Sequence, residues 1–428
     1  MADVLPTASG PVFGTIAVPG SKSIVNRALI CAALADGTSR IAPTAPGRDT
    51  EAMVECLSAL GVPVHLECRT LGVRGCAGQV RGGPTVSARL AGTTSRFITA
   101  MAALGSEATT VTGDDALRRR PIGPLVQALR SLGASVESLR PDAELPIAVR
   151  RGELGGGTVD MRGDVSSQFL SALMMIGPLL DGGLTIAVTG RPVSVPYLHI
   201  TASVMRAFGI EDVSVEPSRI QVRSGRYRAT DYIVEPDASS ASYPLAAAAI
   251  CGGEVHVPGL GPSSVQGDIG FFDVLEAMGC QVRSDESGTT VRGTGRLHGV
   301  AIDLQDMSDL VPTVAALAVF ADSPTTITGV GFIRHKESDR IGDLASGLRD
   351  LGCAAEETAD GLRIEPTDSW RGRSMATHHD HRLAMAWSLI ALRVAGMSVD
   401  DPDVVAKSWP EWWSVRDELV ASSRPGQG

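Results

Sequence analysis

Large apolar residues recur along the chain at two spacings, and the switch between them is itself periodic. Ile341, Leu344, Leu348 and Leu351 fall three and four apart, which predicts an amphipathic helix with Gly352 as its stop. The same ending, a large apolar residue followed by glycine, recurs at Gly61, Gly133, Gly209 and Gly279. Subtracting each glycine's number from the next gives intervals of 72, 76, 70 and 73 residues. After each comes a short β-prone run and soon a second, as in Val62–Leu66 and Leu71–Val73, or Ala134–Val136 and Ile147–Val149. Upstream lies another helix, rich in Ala and Leu, closed by glycine and a strand, as at Gly182–Ile186 and Gly252–Val257. Each unit reads βαβαββ, and 428 residues accommodate six. A period this long predicts stacked units that bury their helices together. Phe169–Leu180 and Leu310–Phe320, apolar nearly all round, are the helices expected inside.

Polar clusters interrupt this pattern at predicted helix starts. The densest is Arg334–His335–Lys336–Glu337–Ser338–Asp339–Arg340. Extending the Ile341 stripe back one turn lands on Glu337, whose carboxylate should lean inward, where burial raises a carboxyl pKa toward a range useful for proton transfer. Lys336 and Arg340 would share a neighbouring face at the positive end of the helix, a setting suited to anionic substrates. A solvated first turn laced with ion pairs accounts for the same seven residues.

Pro19–Gly20–Ser21–Lys22–Ser23, with Arg27 on the helix that follows, offers glycine, hydroxyls and a lysine to a phosphate. The glycine spacing of a nucleotide P-loop is missing, and a capped surface helix stays open as a reading. At Ala91–Gly92–Thr93, Gly92 would let backbone N–H groups approach a ligand, or serve a plain helix cap. Arg118–Arg119–Arg120 precede a proline-started helix, where cations oppose the dipole and a bound anion would relieve the conflict. Ser166–Ser167–Gln168 and Ser194 with Tyr197 add further polar starts. Asp309 interrupts the apolar approach to the Leu310 helix, where an N-cap explains it as well as a catalytic role. His378–His379–Asp380–His381–Arg382 resembles a metal site by composition. Adjacent ligands converge poorly on one ion, so no metal is expected and an arginine-bearing helix start is the better reading. Lys407–Ser408 supplies a last lysine.

Length alone predicts two or more domains. A net charge of −10 argues against general nucleic-acid or membrane-surface binding, so an anionic ligand must be drawn in by local Lys/Arg clusters. Seven cysteines without C-x-x-C spacing read as reduced thiols of a cytoplasmic protein. Met1–Pro19 lacks a signal-peptide pattern, and the apolar stretch near Leu310–Ala321 is too short to span a bilayer.

Taken in order, Pro19–Ser23 with Arg27, Ala91–Thr93, Arg120–Gly123, Ser166–Gln168, Lys336–Arg340, Asp380–Arg382 and Lys407–Ser408 closely resemble the 5-enolpyruvylshikimate-3-phosphate (EPSP) synthase family, from Pro19 to Pro410. The resemblance implies an α/β fold, a two-domain inside-out α/β barrel of six βαβαββ repeats, three per domain. Residues 19–236 would form one domain, and 1–18 plus 237–428 the other, closing on substrate. It implies a monomer that moves the enolpyruvyl group of phosphoenolpyruvate onto the 5-hydroxyl of shikimate 3-phosphate and releases phosphate. The route is a tetrahedral adduct, with no cofactor. By resemblance, Lys22, Ser23, Arg27, Ser166, Ser167, Ser194, Tyr197, Asp309 and Lys336 would hold shikimate 3-phosphate. Lys22, Gly92, Arg120, Gln168, Arg340, Arg382 and Lys407 would hold phosphoenolpyruvate. Asp309 would take the hydroxyl proton and Glu337 would protonate the methylene carbon, with Lys22 assisting. The charges fit, since two anions meet only where cations offset a repulsion of roughly 1 to 4 kcal/mol per close pair in wet surroundings.

One departure is Phe332, where several relatives carry a polar residue, leaving His335 to replace the contact. Glyphosate, close to phosphoenolpyruvate in charge and size, is the expected competitor. The sister family that transfers the same group to UDP-N-acetylglucosamine needs a loop cysteine after its Arg-Pro segment, and none occurs here between Cys76 and Cys251. A non-catalytic repeat protein binding phosphorylated ligands would explain the repeats but not Asp309 and Glu337.

Overall fold

The structure, a computed structural model, describes residues 3–44, 47–141 and 144–423. The chain divides into two compact units of mixed α/β structure. One is Gly20–Val234, and the other joins the residues up to Pro19 with those from Glu235 onward.

In the Gly20–Val234 unit, helices Lys22–Leu34, Gly92–Ala102 and Ser167–Ile176 pack against one another. From Phe169 to Ile176 every residue is buried, as a run apolar nearly all round predicts. Burying side chains such as Leu170 and Leu173 contributes about 1.5–3 kcal/mol each. Helices Arg48–Ala59, Gly123–Ser131 and Pro196–Ala207 bury one face only. Each four-stranded sheet here has one plan, a parallel pair extended by an antiparallel hairpin. Thr85–Ser87, Thr109–Thr112, Ile147–Arg150 and Ser135–Ser138 make one. Gly157–Arg162, Leu184–Thr189, Arg219–Val222 and Val213–Glu216 make another. In the third, Thr38–Ala42 takes its parallel partner, Asp231–Ile233, from the far end of the unit.

The other unit centres on helices Ala238–Cys251, Val311–Ala318 and His381–Ile390, again packed together. Its first sheet borrows strand Val12–Thr15, which pairs in parallel with Gly253–Pro258. Its second joins Ala301–Asp303, Thr325–Thr328, Leu362–Glu365 and Ala354–Glu357 on the common plan. The last stretch differs. Ser374–Met375 and Ser398–Val399 form a two-stranded parallel sheet, and helix Trp412–Ser422 follows with no hairpin among the described residues. Two sheets thus complete themselves with a distant strand, which spacing along the chain does not reveal.

The glycine stops are structural. Gly61, Gly133, Gly209, Gly279 and Gly352 all have φ between 85° and 103°. At each, the next residue's N–H returns to a carbonyl five back, as from Val62 to Leu57 and from Cys353 to Leu348. Satisfying the last carbonyls this way needs a left-handed residue, which costs glycine least.

Candidate active site

In the unit that continues from Glu235, four cations meet three carboxylates. Asp309 lies in the 3-10 turn Gln305–Leu310, which runs into helix Val311–Ala318. It does not cap that helix, because Leu310 holds the cap position. Its Oδ1 instead receives Lys336 Nζ and Arg340 Nη1, each at 3.0 Å, and its Oδ2 receives Arg382 Nη2 at 2.6 Å. Burial pushes its pKa up, but Arg382, Lys336 and Arg340 prevail and hold the carboxyl well below the usual range.

Glu337 precedes helix Arg340–Leu351 rather than sitting on its first turn. Asp339 is the cap, accepting from Gly342 N at 3.1 Å. The Glu337 carboxylate still faces inward, with Arg340 Nη2 at 2.9 Å on Oε2 and Lys407 Nζ at 3.0 Å on Oε1. A buried acid is costly to ionise without partners, and here the two cations are Arg340, as the sequence pattern placed it, and Lys407.

Arg340 ties the cluster together. Only 1% exposed, it sends Nε to Asp380 Oδ2 at 2.7 Å, while its two Nη atoms serve Asp309 and Glu337. Asp380 is fully buried and caps helix His381–Ile390 by accepting from Arg382 N at 2.9 Å. One carboxylate therefore fixes the Arg340 guanidinium and the backbone from which Arg382 projects. The neighbouring histidines scatter. His378 turns to Asp343 at 3.6 Å, His379 to Asp401 at 3.4 Å, and His381 is buried. Among the described residues, no group of three or more His, Cys, Asp or Glu could hold a metal ion. Lys336 Nζ stands 5.8 Å from the centre of the Phe332 ring, and His335 is exposed.

The Gly20–Val234 unit carries the remaining candidates, most of them at or just before helix starts. Lys22 Nζ lies 3.0 Å from Asp49 Oδ2, and the Asp49 carbonyl accepts from Thr94 Oγ1 at 3.3 Å, which links two helix starts. Ser21 occupies the cap position without a side-chain capping bond. Gly20 answers a packing need, since a Cβ there would sit 2.2 Å from the Pro43 carbonyl oxygen. At Gly92 a Cβ would lie 2.3 Å from Arg96 Nη1 and 2.8 Å from Arg120 Nη2. Its bare backbone thus makes room for two guanidinium groups. Arg96, which the motifs did not single out, donates to the Pro121 carbonyl at 2.8 Å over the Phe169 ring.

Arg27 is buried. Its Nε donates to Thr201 Oγ1 at 2.7 Å, Nη1 to the Ser23 carbonyl at 2.9 Å and Nη2 to Ser171 Oγ at 3.1 Å, with the Phe97 and Tyr197 rings alongside. Burial lowers its pKa to about 10. Ser166 caps helix Ser167–Ile176, accepting from Gln168 N at 3.3 Å. Ser194 holds a left-handed φ of 54°, a strained setting for a non-glycine residue. The dipole conflict expected beside Arg118–Arg120 is met from within, because Glu144 Oε2 accepts from Ile122 N at 2.9 Å and Gly123 N at 2.8 Å.

Two buried acids, Asp49 and Asp268, escaped the sequence reading. Asp268, in the turn Gly267–Gly270, is hydrogen-bonded by Ser239 Oγ. Burial, then the charge of Asp309, pushes its pKa from 3.8 up to about 7. A carboxyl with a raised folded-state pKa favours folding most below its unfolded value. That stability declines as pH rises from 3.8 to about 7. Asp268→Asn is expected to remove this part of the pH dependence of the melting temperature. An identical wild-type and variant profile from acidic to neutral pH would contradict the assignment.

The profile of the family described as EPSP synthase (3-phosphoshikimate 1-carboxyvinyltransferase) matches residues 6–415. The chain is 43% identical over 410 residues to the 3-phosphoshikimate 1-carboxyvinyltransferase of Methanoculleus marisnigri, covering 95% of this chain and 97% of that one. It is 40% identical over 414 residues to the protein of that name from Trichormus variabilis, covering 96% and 97%. Its fold is similar to the EPSP synthase structure from Acinetobacter baumannii, with a TM-score of 0.80, 24% identity and 97% of each chain covered. A match over nearly the whole length, at these identities, assigns the chain to the EPSP synthase family.

Proposed function

We propose that this chain transfers the enolpyruvyl group of phosphoenolpyruvate to the 5-hydroxyl of shikimate 3-phosphate, releasing phosphate. The observation that carries the reading is the pairing of two carboxylates, Asp309 and Glu337, with four cations, Lys336, Arg340, Arg382 and Lys407. Lys336 and the Gly20–Val234 residues Lys22, Ser23, Arg27, Ser166, Ser167, Ser194 and Tyr197 would hold shikimate 3-phosphate. Lys22, Gly92, Arg120, Gln168, Arg340, Arg382 and Lys407 would hold phosphoenolpyruvate. Asp309, ionised, takes the proton of the 5-hydroxyl as that oxygen bonds to the central carbon of phosphoenolpyruvate, and Glu337, in its protonated form, delivers a proton to the methylene carbon. The tetrahedral adduct then expels phosphate while one hydrogen of its new methyl group leaves as a proton to the ionised Glu337 carboxylate, restoring the double bond. The cations lower the cost of bringing two anions together and stabilise the adduct's charge. The reading extends to a cytoplasmic monomer whose two domains follow the family's inside-out barrel of repeated βαβαββ units. Its thiols are compatible, as all seven cysteines are free.

Gly92→Ala tests the pocket. The added methyl meets the tips of Arg96 and Arg120, flexible groups that move aside, so the chain folds but the anion cradle shifts. Overpacking typically costs about 1–3 kcal/mol, which corresponds to roughly 5- to 150-fold in an equilibrium constant. The glyphosate inhibition constant is expected to rise in that range, and the Michaelis constant for the shorter phosphoenolpyruvate to rise less. Equal proportional changes would contradict the role given to Gly92.

A further inference from the structure

Each carboxylate oxygen of Asp309 and Glu337 already carries a cation assigned above to substrate. Lys336 and Arg340 stand at 3.0 Å from Asp309 Oδ1, and Arg382 at 2.6 Å from Oδ2. Lys407 stands at 3.0 Å from Glu337 Oε1, and Arg340 at 2.9 Å from Oε2. A carboxylate seated among guanidinium and ammonium groups reproduces the charge and hydrogen bonding of a ligand's carboxylate or phosphate oxygens. We propose that Asp309 and Glu337 act as internal anions in the unliganded protein, occupying the anion subsites of their unit, so that an incoming anion must displace them and the displacement frees the base. The identity of that ligand rests on the proposed function; the exchange rests on the ion pairs.

The exchange reconciles two opposed demands. A carboxylate held by three cations is a poor base, because those charges stabilise its ionised form. Once a ligand anion draws Arg340 and Arg382 away, Asp309 loses that stabilisation and gains a negative neighbour. Both changes raise its affinity for a proton, so anion binding takes up protons and strengthens as pH falls. The groups facing Asp309 include Lys336 and Glu337 ahead of helix Arg340–Leu351, Arg340 on it, Arg382 on helix His381–Ile390, and Asp268 on the turn Gly267–Gly270. Asp268 also gains a proton as pH falls, so its contribution must be separated.

Sulfate is the probe, since it stays a dianion across the working range of pH. Calorimetric titration of the full chain is expected to give sulfate affinities about 10-fold or more tighter in Asp309→Asn and in Glu337→Gln than in wild type, because a competitor has been removed. Sulfate held elsewhere on the chain contributes equally to all three proteins and cancels. The rise in affinity from neutral to mildly acidic pH is expected to flatten in Asp309→Asn, and to flatten again when that change is made in an Asp268→Asn background. Unchanged or weaker sulfate binding in both variants, with circular dichroism intact, would overturn the exchange. If one variant does not fold, the other decides. Enzymatic turnover separates the two claims. Tighter sulfate binding without any wild-type transfer activity would refute the function alone, whereas transfer activity with unaltered sulfate binding would refute the exchange alone.

Discussion

Asp309→Asn and Glu337→Gln are each expected to lose turnover by at least ~100-fold while keeping the fold, the usual loss when a positioned acid or base is removed. Both amides match the shape of the carboxylates they replace, so packing persists and the change is in charge and proton transfer. Asp309 is well placed for the larger effect. Its carboxylate joins the turn Gln305–Leu310, the start of helix Arg340–Leu351 and the start of helix His381–Ile390. Turnover would be measured under saturating substrates, with circular dichroism as the control for folding. Near-wild-type turnover in either variant would contradict the role assigned to that residue.

Asp380→Ala is expected to be the most destabilising single change in this cluster. Asp380 and Arg340 are 0% and 1% exposed and meet at 2.7 Å. Removing the carboxylate leaves a buried guanidinium short of its closest partner, a change that typically costs about 3–5 kcal/mol. It also removes the cap of helix His381–Ile390, worth about 1 kcal/mol more. All five tryptophans, Trp370, Trp387, Trp409, Trp412 and Trp413, lie in this unit, so their fluorescence during urea unfolding reports on it directly. A shift under about 1 kcal/mol, the scale of an exposed ion pair, would contradict the structural weight given to Asp380.

The parts legible in the sequence are those set by local physics. The helix ending in Leu351 and Gly352 follows from spacing and from a stop only a left-handed residue satisfies well. The buried helices at Phe169 and Val311 follow from runs with no polar face. The polar residues at helix starts were visible too, because capping and dipole preferences act within one turn. Long-range closure was not visible. Nothing near Thr38–Ala42 announces Asp231–Ile233 as its neighbour, and nothing near Ile122 announces Glu144, 22 residues on, as the anion at that helix start. Asp309 is a similar case. Its place before a helix suggested a cap, but its partners come from residues 336, 340 and 382, so only the fold distinguishes the two readings. Asp268 lay hidden because a raised pKa depends on burial and on neighbouring charge, both properties of the packed chain.

Enolpyruvyl transfer to shikimate 3-phosphate leaves a product that can be followed directly. The most direct measurement is phosphate release from phosphoenolpyruvate by the purified full chain, with shikimate 3-phosphate, with UDP-N-acetylglucosamine and with no acceptor, each assayed separately. Sustained release is expected with shikimate 3-phosphate alone, accompanied by a product that carries the carboxyvinyl group on the 5-oxygen. Release that is independent of acceptor, or that requires the UDP sugar, would contradict that expectation.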